Sequence, residues 1–70
     1  MSLSVGRAKL VGALRDLMLR WEKTKMEWDD PMSRHLEASV LEPLEPKVRA
    51  AATAIEKMGE IVARARRECQ

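Results

Sequence analysis

The sequence predicts an all-α fold: an antiparallel helical hairpin that self-associates into an oligomeric helix bundle, with a three-helix path if prolines break the second arm at residues 42–46. Three observations lead there. Apolar residues recur at three- and four-residue intervals through both ends of the chain, the spacing of one helix face. One strong break, Asp29-Asp30-Pro31, divides them. The marks of β structure are missing, with no Tyr or Phe, no alternating β-branched run and no Asn-Gly type of hairpin turn.

The chain is expected to be a single helical domain, 1–70, with no repeat and no linker. A first helix over residues 3–28 carries Leu3, Leu10, Leu14, Leu17, Trp21 and Trp28 on one stripe, Arg7 and Thr24 filling the intervals and Val11 and Met18 widening one flank. At 1.5 Å per residue it is about 39 Å long. Gly6 and Gly12 weaken its first turns by up to about 1 kcal/mol each relative to Ala. The turn is 29–30. Pro31 disfavours helical geometry in the residue before it, Asp30 is a good N-cap acceptor, and Pro31 suits the first helical position. So short a link makes the helices antiparallel neighbours.

A second helix over 31–42 carries Met32, Leu36 and Val40 on one face. It meets Glu42-Pro43-Leu44-Glu45-Pro46, where prolines remove hydrogen bonds and crowd the preceding turn, so a kink or short break is expected at 40–46. The last helix, 44–68, reads as a coiled-coil heptad: Leu44, Val48, Ala51, Ile55, Met58, Val62, Ala65, then Cys69.

Length limits what this chain can do alone. Seventy residues bury only about 60% of the surface their unfolded chain exposes, and chains of this size usually draw on a disulfide, a metal or a second copy. A lone cysteine, Cys69, closes no internal disulfide, and a lone histidine, His35, builds no metal site with it. No cofactor is expected. Self-association is the route left, a homodimer first. No segment resembles a signal peptide or reaches the roughly 20 apolar residues of a membrane span, so a cytoplasmic setting is expected, with secretion by a signal-less route as the alternative. Met1-Ser2-Leu3 reads either as native sequence or as a cloning remnant.

Charge is balanced overall at +2 but divided along the chain. Residues 1–20 carry +3, 21–45 carry −4, and 46–70 carry +3. A hairpin therefore has an acidic tip and a basic open end. Folded back at Asp29-Asp30, it sets Leu3 level with Ile55 to Met58, and about ten C-terminal residues extend past the first helix. Val62, Ala65 and Cys69 continue the apolar stripe through that overhang. An apolar stripe facing water is normally a contact surface. Two hairpins laid antiparallel set each acidic turn beside the other's basic end.

Few residues invite chemistry. His35 and Ser39 stand four apart on a helix, the reach of a base and a nucleophile, but no third orienting group or oxyanion donor accompanies them. Two polar residues on a solvated flank is the plainer account, and no enzymatic activity is expected. Asp29 and Asp30 are too few for a calcium or magnesium site, and capping explains Asp30. Arg64, Arg66 and Arg67 with Lys57 and Lys9 form a small basic end able to touch phosphates. No aromatic residue stands among them to stack a base. Weak nucleic-acid binding through these helix ends is the alternative function. Trp21 and Trp28, the only aromatics, share one face near the turn. They fill the hairpin core or anchor a partner, and a second chain that completes the core reconciles both.

Trp28-Asp29-Asp30 between two long amphipathic helices resembles the WXG family of type VII secretion substrates, whose members are helical hairpins that pair into four-helix dimers and bind partners without catalysis. That resemblance covers the hairpin over about residues 10–65 and rests on Trp28 and its turn. It departs at the turn glycine, here Asp30, at Pro43 and Pro46, and at the tail Arg64–Gln70, which has no tyrosine-containing export signal. The function expected is a small non-enzymatic protein–protein interaction or scaffold module. Its interface would use Leu10, Leu14, Leu17, Trp21 and Trp28 with Val48, Ile55, Met58, Val62 and Ala65, and would bind a second copy or a helical protein by helix-in-groove packing.

Overall fold

Ser2 starts the first helix, α1 (Leu3–Glu27), with its hydroxyl accepting the Val5 N–H at 3.2 Å. The computed structural model describes residues 2–69; Met1 and Gln70, the ends of the expected domain, lie outside the described residues. α1 stops one residue short of the predicted end. Trp28 is extended, and its N–H makes a last bond to the Thr24 carbonyl at 2.8 Å.

The chain reverses at Asp29-Asp30 and re-enters a helix at Pro31 as predicted. A short α2 (Pro31–Leu36) runs into a π-turn (Glu37–Leu41) and then into α3 (Glu42–Glu68), with no non-helical residue between them. The break expected at 42–46 does not form. Pro43 lies in the first turn of α3, directly after the π-turn, and Pro46 is carried inside the helix. The irregularity falls earlier, in the π-turn, where the Glu42 N–H reaches back five residues to the Glu37 carbonyl. The molecule is therefore a two-armed helical hairpin, and no strand occurs among the described residues.

The arms pack antiparallel through one seam. On α1 the inward positions are Arg7, Val11, Leu14, Met18, Trp21 and Lys25, a 4-3 alternation with Leu14 buried at its centre. On the facing arm they are Ser33, Glu37, Leu41, Leu44, Val48, Ala52, Ile55 and Gly59, with Ser33, Leu41 and Ala52 buried. Arg7 meets Glu56 at 3.6 Å, which fixes the register at the open end. Two expectations are corrected by this phase. Val11 and Met18 lie in the seam while Leu17 and Trp28 stand at its edge. Ser33, Glu37 and Leu41 turn toward α1 in place of the expected face of Met32, Leu36 and Val40; Met32 and Val40 are exposed.

Overall dimensions are 59 × 18 × 11 Å, so the hairpin is one helix thick. Its radius of gyration, 17.0 Å, compares with about 11 Å for a globular chain of this length. Its accessible surface, 5826 Å², exceeds the about 4,500 Å² of a compact monomer of this mass. Among the described residues no side chain is wholly enclosed, because a single layer covers each residue from one side only.

Candidate interaction surface

The turn is held by a polar latch that gives the hairpin a fixed end. Asp30 caps α2: its carboxylate accepts the Ser33 N–H at 2.8 Å, and the buried Ser33 hydroxyl returns a contact to the Asp30 N–H at 3.0 Å. This is the reciprocal capping box. The Trp28 indole N–H donates to the same carboxylate at 2.8 Å, and Arg34 pairs with Asp29 at 2.7 Å. One turn deeper, Glu37 accepts the Trp21 indole N–H at 2.7 Å and the Lys25 ammonium at 2.8 Å. The indoles meet edge to face, ring centres 6.1 Å apart at 83°, an arrangement aromatic pairs favour.

These contacts set the charge states. The Ser33 backbone N–H, and then the Trp28 indole, hold the Asp30 carboxyl below its ordinary 3.8. The Lys25 hydrogen bond, and then that of Trp21, hold Glu37 below 4.5. Glu37 in turn raises Lys25 above 10.5. Each shift favours the ionised form through a hydrogen bond to it. Both tryptophans therefore belong to the hairpin itself, Trp21 half-buried and Trp28 at the rim. Asp30 takes the cap role read from the sequence. Glu37, Lys25 and Ser33 were not singled out there, and the spacing of Glu37 from Trp21 across the turn is their only signal.

A second apolar seam runs along each arm beside the first, exposed over most of its length, with Leu10 and Leu44 half-buried where it borders the inner seam. On α1 it passes through Leu3, Leu10, Ala13 and Leu17. On α3 it passes through Leu44, Lys47, Ala51, Ala54, Met58, Ile61 and Ala65, at 3-4 spacing and apolar except at Lys47. Leu17 is 40% exposed, Met58 55%, Ile61 62% and Val40 50%. At about 100° per residue, both lines are rotated from the inner seam toward the same side once the helices run antiparallel. They form one broad face. On the opposite side, Arg15, Glu22, Glu45 and Arg49 rim a shallow groove over Val11 and Met18, with Leu19 at its edge and Met26, seven residues on, exposed nearer the turn.

The sequence-derived interface residues divide between these seams. Leu14, Trp21, Val48 and Ile55 hold the two arms together, Leu10 is shared, and Leu17, Met58 and Ala65 lie on the open face. Val62 and Leu3 stand at the open end around a groove that also includes Ile55, Gly59 and Arg66. Val62, Ala65 and Cys69 are exposed, as the overhang requires. Ile61 and Ala54 are additions, findable from the 4-3 spacing that joins them to Met58 and Ala51.

The remaining candidates stay apart. Ser39 donates its hydroxyl to the backbone carbonyl of His35, the back-bond typical of serine inside a helix, and not to the imidazole. Arg64 and Arg67 are exposed at the open end with Lys9 and Lys57. No helix among the described residues is long and apolar enough to cross a membrane. No protein-family model, curated protein or solved structure matches the chain. The class of protein that the fold defines is a helical hairpin with a free apolar face.

Proposed function

We propose that this chain is a non-enzymatic helical interaction module that self-associates through its open face, two hairpins closing a four-helix bundle. A helix with one heptad seam has one neighbour, whereas a helix in a bundle has two. The observation that carries the proposal is the second, largely exposed seam that both arms present on one side. The face measures up to 59 by 18 Å, a projected area of about 1,000 Å², against the about 800 Å² per partner of a standard interface. The excess accessible surface noted above is of the same order. Polar chemistry at the turn supports the same reading, since each of its groups is engaged in holding the hairpin together. A cytoplasmic setting is proposed with it. The WXG-like relation rests on the Trp28 turn alone, where Asp30 caps α2 in the place of that family's glycine.

Sedimentation equilibrium tests this directly. The expected mass at tens of micromolar is twice the 8.0 kDa of one chain. A species that stays at 8.0 kDa and keeps its helix content at that concentration would overturn the proposal.

A further inference from the structure

We infer that the occupant of the open face is a second copy laid antiparallel, the C-terminal half of its α3 resting over the turn half of the first hairpin. This rests on the self-association proposed above and adds its orientation and register.

Three observations carry it. The first is the spacing along α3. Ala51 and Ala54 are the small residues midway along the open seam, with Lys47 and Met58, Leu44 and Ile61, and Val40 and Ala65 at successive steps outward on either side. An antiparallel pair of α3 helices crossing between residues 52 and 53 sets Ala51 against the other copy's Ala54, Leu44 against its Ile61 and Val40 against its Ala65. Alanines at the crossing let the two backbones approach, and the larger residues pack outside them.

The second is the overhang. α3 continues beyond the start of α1, leaving Ala65 and Cys69 exposed past its first turn, while Ile61, at the level of that turn, faces away from the inner seam and is 62% exposed. Two hairpins packed with their turns at the same end leave both overhangs bare. The antiparallel arrangement lays each overhang on exposed Val40 and Leu17 and half-buried Leu44 of the other copy.

The third is charge. The turn half of the hairpin, residues 14–45, carries a net −3, and the open half, residues 1–13 with 46–70, carries +5. Turns at the same end bring like charge against like at both ends. The antiparallel arrangement brings Arg64, Arg66 and Arg67 of one copy over the acidic turn half of the other, level with residues 38–41 of its second arm. Such exposed charges contribute modestly to affinity, and they select orientation.

The exposed native thiol of Cys69 makes the test possible without substitution. Spin labels attached there report the distance between the two chain ends by double electron–electron resonance. The antiparallel register sets the two label sites about 50 Å apart, from 1.5 Å per residue on either side of the crossing point. Turns at the same end set them within about 20–25 Å, two neighbouring or diagonal helices apart. A distribution centred near the longer distance is expected. One centred near the shorter overturns the orientation and leaves self-association standing. No dipolar modulation, with a sedimenting mass of a single chain, overturns both.

Discussion

Substituting Ile61→Asp distinguishes the open face from the seam inside the hairpin. Ile61 is 62% exposed in the single chain, so the substitution removes little that the monomer uses. Surface replacements of this kind usually change stability by no more than about 0.5 kcal/mol. Complete burial of an isoleucine side chain contributes about 1.5–3 kcal/mol. Covering the exposed three-fifths of it therefore contributes about 1–2 kcal/mol per copy. In a two-fold interface the residue occurs twice, so the dimer loses about 2–4 kcal/mol, a weakening of about 30-fold to several hundredfold. Burying a carboxylate against Leu44 of the other copy adds to that loss. Sedimentation velocity across a concentration series reads the dissociation constant, and far-ultraviolet circular dichroism reads the helix content. The matched control is Leu19→Asp, 60% exposed on the opposite side, expected to leave the dimer intact. A dissociation constant unchanged by Ile61→Asp, or equal damage from the two variants, refutes the assignment of the face. Val62→Asp is less decisive, because Val62 also borders the groove at the open end with Leu3 and Ile55.

Further predictions concern the turn. Asp30 and Glu37 have folded-state values below their ordinary 3.8 and 4.5, so their contribution is complete above the unfolded values and lost as pH falls through the folded ones. Thermal midpoints should be flat from neutral pH to about 5 and then decline; the decline should be smaller in Glu37→Gln. Both indole N–H groups bond these carboxylates, so tryptophan fluorescence should shift over the same range, and a midpoint indifferent to acid down to pH 2 counts against the latch. Ser33→Ala removes half of the capping box from a residue only 3% exposed and should cost about 1–2 kcal/mol. That corresponds to a fall of about 4–16 °C in Tm for a chain of this size, measurable by circular dichroism.

Much of the hairpin was legible because its signals are local. A capping aspartate followed by proline has one reasonable meaning, and three- and four-residue spacing over twenty residues has another. The phase of each helix was less accessible. Ala50, Ala51 and Ala52 are consecutive and equally apolar, so periodicity alone does not decide which faces α1; in the structure it is Ala52. Leu10, Leu14 and Leu17 pose the same problem, since a stripe broad enough for two neighbours looks from sequence like a wide stripe for one. Val11 and Met18, set aside as a flank, are the residues that reveal two seams. The latch was obscure for a different reason. Trp21 and Glu37 are sixteen positions apart, and their pairing depends on the register of the fold-back.

That register depends on the π-turn. Followed backwards from Ala52, the inner seam of the second arm runs through Val48, Leu44 and Leu41, and regular α-helix would continue it to Ala38 and Arg34. The structure instead turns Glu37 and Ser33 toward α1, a displacement of one position, and one extra residue is what a π-turn inserts. With regular α-helix through residues 37–41, Ala38 would stand where Glu37 now receives Trp21 and Lys25, and Arg34 would occupy the confined place of the Ser33 hydroxyl. The prolines account for the insertion falling just ahead of α3: Pro43 supplies no N–H to the carbonyls of residues 38 and 39, so the turn before it loses its α-helical constraint and is free to widen. A break predicted at Pro43 and Pro46 and a latch unforeseen at Glu37 are thus two consequences of one local event. A pattern read at constant period cannot contain it.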